Sequence, residues 1–429
     1  MDKQNILVFP CGSEIGLEIY RSLEFSTHFN LIGASSVADH GEFVFENYIG
    51  KLPFVTDVNF IETLKKIVVD YKIDAIYPAM DLVINKLKKN ENELGCKVIS
   101  SNVDTTSVCL SKSKTYEKFK SLIQVPKVFQ NTDSINTYPI FLKPDIGYGS
   151  RGVLKATNLS EVQNHIVKYP NTLLLEYLPG KEFTIDCFTN FKGELLFVGP
   201  RERRRISNGI SVNTKTMSFD EIFYSIAEII NNNLELNGAW FFQVKENQQG
   251  EVVLMEIASR LGGSSAVYRA KGVNFAILSL FNAFEIPVAI LENDFEVEMD
   301  RALDNCFLIS KKLNFQNVYL DFNDLIIESK VNIELIGTLH QFINHKKNLY
   351  LFVRRNSDLE GTFKDHGLKV LFKSIIEISE KDFKWEFIDY KDSIFIDNSF
   401  LDRTLVKKKL NIPVFSLDMI VGLGNIFNK

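Results

Sequence analysis

Three glycines fall within six residues at Gly147-Tyr148-Gly149-Ser150-Arg151-Gly152, and the runs on either side narrow what this segment can become. Tyr138 to Leu142 is apolar, with aromatic and β-branched members, and reads as a strand that delivers Lys143 to the mouth of the loop. Val153 to Thr157 reads as a second strand. A glycine has no Cβ, so the backbone can fold tightly and turn its N–H groups toward an anion. The segment is expected to be a β-hairpin with a glycine-rich tip and a lysine at its base, a shape suited to closing over polyphosphate. The same letters fit the dinucleotide pattern G-x-G-x-x-G, which needs a helix directly after the loop. Here a short strand follows, and a fresh helix cap begins only at Asn158-Leu159-Ser160. A plain glycine-rich turn is the alternative, and the loop alone does not choose.

The first hundred residues alternate short apolar runs, at 5–10, 30–34, 73–78 and 97–100, with helical patterns such as Phe60–Asp70. That alternation predicts a parallel sheet with helices on its faces. The opening Ile6-Leu7-Val8-Phe9-Pro10-Cys11-Gly12 suits a nucleotide, and equally the tight turn of any doubly wound domain. From Ser111 the pattern changes. A charged helix (112–123), the hairpin, a helix (160–168) and strands at 172–178, 182–190 and 194–198 lead to Arg201-Glu202-Arg203-Arg204-Arg205. If that run is extended, Arg201, Arg203 and Arg205 share one face. They are expected to face a substrate or phosphate, with a solvated charged strand as the alternative. After a helix (219–236), strands at 239–245 and 252–258 are joined by a four-residue loop, which sets Gln243 opposite Glu256. An amide oxygen beside a carboxylate suits magnesium, and equally a hydrogen-bonded surface pair. Arg260-Leu261-Gly262-Gly263-Ser264 ends the second strand with a cation and a flexible turn.

At 429 residues the chain has room for two or three domains. Hydrophobic residues at 45% and charged residues at 24% match an ordinary globular protein. A net charge of -5 without a basic block argues against nucleic acid. No apolar run approaches a membrane span, and the first is too short for a signal peptide. Five scattered cysteines read as reduced thiols in a cytoplasmic protein. His340 and His345, five apart, miss the i, i+4 spacing of a helical metal site.

Taken in order, these residues resemble the ATP-grasp superfamily, in the branch of carbamoyl-phosphate synthetase and related carboxylate–amine ligases, over about residues 1–300. The resemblance implies an α/β chain: a doubly wound parallel-sheet domain (1–110), then an α+β ATP-grasp domain (111–310). It implies ATP and Mg2+ as cofactors, a small carboxylic acid and an amine as substrates, and it allows a homodimer. Lys112 and Lys143 match the basic positions of the nucleotide domain, and the loop of Gly147, Gly149, Ser150 and Gly152 matches the lid over the phosphates. Glu176-Tyr177-Leu178 resembles the hinge at adenine, and Glu182 the acid at ribose. Gln243 and Glu256 match magnesium ligands, and Arg260 the arginine near the transferred phosphoryl. The usual ending E-x-N-x-R reads here Glu256-Ile257-Ala258-Ser259-Arg260, so Ala258 removes one amide oxygen. From 314 to 429 the chain resembles a second family, the haloacid dehalogenase-like phosphatases. Asp321 matches the nucleophile and Asp397 the later acid, but Asn323 replaces the general acid/base and Leu325 a threonine. An amide exchanges no proton near neutral pH, so this domain is expected to be degenerate.

Overall fold

The computed structural model describes residues 3–147, 151–207, 209–302, 305–309, 313–327, 330–354, 361, 363 and 366–424. The chain forms two compact units, one of residues 1–266 and 274–289, the other of 267–273 and 290–429. Among the described residues no helix is long and apolar enough to cross a membrane. Cys11, Cys96, Cys109 and Cys187 are free thiols.

The first unit opens with five parallel strands: β1 (Gln4–Phe9), β2 (Phe29–Ala34), β3 (Asn47–Ile49), β4 (Ala75–Pro78) and β5 (Lys97–Val98), in the order β3-β2-β1-β4-β5. Ile6, Leu7 and Ile76 are fully buried, as expected of parallel strands covered on both faces. The helix Phe60–Asp70 contributes Phe60, Ile61, Leu64, Ile67 and Val68 to the core beneath. That face follows the spacing of an amphipathic helix.

A small antiparallel sheet follows: β6 (Val128–Phe129), β7 (Ile140–Pro144), β8 (Leu154–Ala156) and β9 (Thr172–Glu176), in the order β6-β9-β7-β8. Strands β7 and β8 pair as the hairpin around the glycine loop, with Leu142 opposite Leu154.

The larger sheet of this unit comprises β10 (Glu182–Thr189), β11 (Leu195–Ser207), β12 (Ile210–Thr216), β13 (Gly238–Glu246) and β14 (Val252–Ala258), running β14-β13-β10-β11-β12. One face is apolar. Phe183, Ile185, Cys187, Trp240, Phe242 and Val244 alternate along β10 and β13 and pack against the helix Glu221–Asn233 through Phe223, Ile226, Ala227 and Ile230. The intervening residues, Glu182, Thr184, Gln243 and Lys245 among them, occupy the opposite face, because side chains alternate along a strand.

The second unit holds an antiparallel pair, β15 (Val297–Arg301) and β16 (Asn305–Ile309), and a minor hairpin, β18 (Ile326–Ile327) with β19 (Lys330–Val331). Its main sheet is parallel: β17 (Asn317–Asp321), β20 (Asn348–Arg354), β21 (Ser374–Ile378), β22 (Ser393–Ile396) and β23 (Val414–Phe415), in the order β21-β20-β17-β22-β23. Asp321 ends β17, and Asp397 follows the neighbouring β22.

Candidate functional site

The polar face of the larger sheet is read most directly along its cross-strand rows. Glu256 stands opposite Gln243, Gln243 opposite Thr184, Thr184 opposite Arg201, and Arg201 opposite Thr216. The first pair is the one its loop length predicts, but the register reaches it by another route. Near the turn Val244 opposes Leu254, and a bulge between Gln243 and Val244 leaves Met255 as the extra residue. Leu254 and Ile257 therefore both reach the core, although three residues apart, and Glu256 and Ala258 turn to the cavity. Tyr116, almost fully buried, donates its hydroxyl to the Met255 carbonyl at 2.9 Å and so satisfies the bulged backbone.

A cavity of about 490 Å³ lies over this face. Lys112, Lys143, Gly147, Glu176, Tyr177, Leu178, Glu182, Gln243, Glu256 and Arg260 all line it. Gly152 closes the hairpin at φ +70°, where a Cβ would be strained. Gly149 and Ser150 lie outside the described residues.

Lys143 on β7 places Nζ 3.3 Å from Glu256 Oε2, joining the two sheets. Burial pushes the Glu256 carboxyl up, but Lys143, Lys112 and Arg203 outweigh it and hold the group at about 2. Lys112 opens the helix Lys112–Phe119, whose N-terminus is tied down by Asp145: its carboxylate accepts from Ser113 N at 2.7 Å and from the Ser111 hydroxyl at 2.9 Å. Burial, and then the neighbouring Lys143, lower the Lys112 pKa. The segment expected to act as the hinge is tied down at Glu176, whose Oε1 accepts from Lys127 N at 2.9 Å, and Lys155 lies 4.0 Å over the Tyr177 ring.

Arg260 is gripped by a residue for which the sequence carries no signal of its own. Its Nε and Nη2 donate to the two Asp81 oxygens, each at 2.8 Å, and its guanidinium lies 5.3 Å from the Phe241 ring. Asp81 begins a helix after β4, so the parallel-sheet region supplies the partner. Burial opposes the arginine's charge, and Asp81 more than restores it.

The three arginines of β11 divide. Arg201 donates Nε to Asp186 Oδ2 at 2.6 Å with both residues buried, and Arg203 Nη1 meets Glu182 Oε1 at 2.9 Å. Both line the cavity. Arg205 does not: a register shift between Arg203 and Arg205 breaks the alternation, and Arg205 is exposed. The expected common face therefore holds for two of the three. Glu182 also meets Lys245 Nζ at 3.4 Å, so both of its oxygens have cationic partners.

One carboxylate and one amide face each other where magnesium is expected, Gln243 offering an amide oxygen and Glu256 the acid. Among the described residues no group of three or more His, Cys, Asp or Glu side chains gathers as a metal site. That donor set fits magnesium, which is commonly held by one or two protein oxygens with phosphate and water completing its shell.

In the second unit Lys384 is the organising group. Its Nζ lies 2.5 Å from Asp321 Oδ2, 2.5 Å from Asp397 Oδ2 and 3.1 Å from Asp402 Oδ2. Burial raises Asp397 to about 6 against the pull of Lys384. Asn323 is exposed and only its backbone N–H reaches Asp321, at 2.8 Å. The buried neighbour is Asp324, which accepts from Asn398 N at 3.0 Å and is raised well above the usual carboxylate range by burial and by Asp397.

Residues 168–301 match a protein-family model described as ATP-grasp in the biosynthetic pathway with Ter operon. Over 132 residues the chain is 26% identical to a D-alanine–D-alanine ligase of Thermotoga petrophila, covering 28% of this chain and 44% of that one. The chain thus spans less than half the length of the curated relatives it matches. Among solved structures, the biotin carboxylase domain of the Hydrogenobacter thermophilus 2-oxoglutarate carboxylase, a dimer with MgADP and bicarbonate, aligns with a TM-score of 0.59 at 14% identity, over 70% of this chain and 74% of that one. An L-amino acid ligase from Bacillus licheniformis aligns with a TM-score of 0.56 at 17% identity, over 70% and 79% of the two chains. Over seven-tenths of its length, then, the chain shares its fold with these two proteins.

Proposed function

We propose that the chain is an ATP-dependent carboxylate–amine ligase that releases ADP and phosphate through an acyl phosphate. The convergence of Lys112, Lys143, Gln243, Glu256 and Arg260 on one cavity, beside a hairpin loop and a hinge, carries the reading. A carboxylate oxygen attacks the γ-phosphorus of ATP, the bond to the bridging oxygen breaks, and ADP leaves. An amine then attacks the acyl carbon, phosphate departs with the bonding pair, and the nitrogen gives up a proton. No protein nucleophile is required. Lys143 and Arg260 offset charge on the transferring group, and the loop around Gly147 and Gly152 keeps water from the acyl phosphate. Magnesium on Gln243 and Glu256 would neutralise phosphate charge.

Ala258 favours a second reading, a nucleotide sensor with little turnover, because it removes an amide oxygen from the usual set. The deciding experiment measures phosphate and ADP release over panels of small carboxylic acids and amines. Turnover dependent on both partners supports the ligase; formation of AMP and pyrophosphate would falsify it. Ala258→Asn is expected to lower the magnesium concentration for half-maximal turnover, and an unchanged requirement would show that Glu256 and the phosphates already suffice.

For the second unit we propose a haloacid dehalogenase-like fold without phosphatase turnover. The parallel strand order, the acid ending β17 and the acid just after β22 support the fold. Asn323, Leu325 and Val353-Arg354 stand where a phosphatase carries its acid/base and hydroxyl groups. Hydrolysis of simple phosphates near 1 per second, about what a modest enzyme achieves, abolished by Asp321→Asn, would overturn that reading.

A further inference from the structure

We propose that Thr184, Arg201 and Arg203 form the subsite that takes the carboxylate of the acid substrate, an inference that rests on the ligase reading and deepens it. The three residues are 1%, 3% and 8% exposed. Each carries a buried polar atom with no hydrogen-bond partner among the described residues: Thr184 Oγ1, Arg201 Nη1 and Arg203 Nε. Buried polar groups are nearly always satisfied, and three unsatisfied ones gathered on one cavity wall mark a place where a ligand, ion or water is received. All three residues line the cavity.

Their place in the sheet says what that group is next to. Thr184 lies between Gln243 and Arg201 in one cross-strand row, so the unpartnered groups begin one strand from the Gln243/Glu256 pair. Two strand spacings, about 10 Å, separate the Gln243 and Arg201 backbones, which seats a phosphoryl group and a carboxylate side by side.

The charge balance says what class of anion it is. Arg201 is already matched by Asp186 at 2.6 Å and Arg203 by Glu182 at 2.9 Å. Arg203 Nη2 also donates to the Gly209 carbonyl at 2.8 Å. Glu182 is shared with Lys245, so the cluster keeps open N–H donors and one net positive charge. Such a site suits a singly charged, planar carboxylate better than a doubly charged phosphate. The loop after β14 is built onto the same pair: a Cβ on Gly262 would fall 2.9 Å from Asp186 Oδ1 and 3.0 Å from Arg201 Nη2.

The test uses the full chain, with and without MgADP, titrated with acetate, succinate and inorganic phosphate by calorimetry and thermal unfolding. Titration runs to about 100 mM, where even a ligand of millimolar affinity saturates. The carboxylates are expected to bind and stabilise, and phosphate to do so more weakly. Thr184→Val keeps the side-chain shape and removes the unpartnered hydroxyl. It is expected to raise the melting temperature of the ligand-free protein and to weaken carboxylate binding about five- to tenfold. Arg201→Lys keeps a cation for Asp186, and so the fold, but loses the fork and is expected to weaken carboxylate binding at least about tenfold. Three outcomes overturn the subsite: no carboxylate binding in the wild type, unchanged affinity in both variants, or preference for phosphate. MgADP binding without carboxylate binding leaves the nucleotide reading standing and removes the subsite. Carboxylate binding without MgADP binding does the reverse.

Discussion

Lys143 and Glu256 hold each other at 3.3 Å, and polyphosphate bound with a metal would compete for both partners. Lys143→Ala removes a charge-assisted phosphate contact, about 1.5–3 kcal/mol, so MgATP affinity measured by calorimetry should fall roughly ten- to a hundredfold. Glu256 itself stays ionised at any working pH. Its carboxyl sits at about 2 in the folded chain against an ordinary 4.5, so its contribution to stability is complete above 4.5 and is lost only as pH falls through about 2. The pH profile of turnover should therefore show no acidic limb from Glu256 between pH 5 and 7, a range set by the ordinary carboxylate values. A limb that vanishes in Glu256→Gln would contradict the ion pair. These residues were legible because each sits in a local pattern, a loop, a strand end or an opposed pair. Asp81, Thr184 and Asp186 were not, since their importance comes from partners on other strands and helices, up to 179 positions away for Asp81 and Arg260.

At the scale of elements, the alternation of side chains was the most readable signal and the bulges its main interruption. Strand and helix positions through the first unit follow periodicity closely, and the helix expected at 60–70 is found at Phe60–Asp70. A bulge adds one residue without any mark in composition, so Arg205 departs from the face of Arg201 and Arg203. In the second unit the element that matters most is the short turn of 3-10 helix at Lys384–Phe387, whose lysine enters a nest of acids that strand patterns could not foretell. Lys384→Met should destabilise this unit by about 3–5 kcal/mol, because it leaves buried carboxylates unpaired. Asp397, raised to about 6, favours the fold when protonated, a contribution full below its ordinary 3.8 and lost as pH rises through 6. Without Lys384 that group, with Asp321, Asp324 and Asp402 around it, loses its counter-charge. The deficit, followed by denaturant melts, should shrink as pH falls from 7 to 5 and grow again above it. A deficit independent of pH would mean that lost packing, not charge, dominates.

On the scale of the whole molecule, the chain enters the second unit at Val267, leaves it after Val273, and returns at Ile290. That seven-residue visit is firmly bonded: Arg269 Nη1 donates to the Asp418 carbonyl at 2.6 Å, and Lys271 meets Glu292 at 2.7 Å. Asn293 then bonds the Val414 carbonyl at 2.7 Å, and Phe295 stacks on Phe415. A fragment of 314–429 lacks all of these contacts. It should melt below a fragment of 290–429, which in turn should melt below the second unit of the full chain, as circular dichroism would show; equal melting would mean the visit adds nothing. The same stitch bears on inheritance. A single crossover in the gene separates what lies before a point from what lies after it, and no point separates 267–273 from its neighbours on both sides. An exchange at 266/267 hands on the second unit whole but takes 274–289 from the first, and one at 289/290 keeps the first whole but takes 267–273 from the second, so descent by ordinary end-to-end fusion carries the two together or breaks one of them.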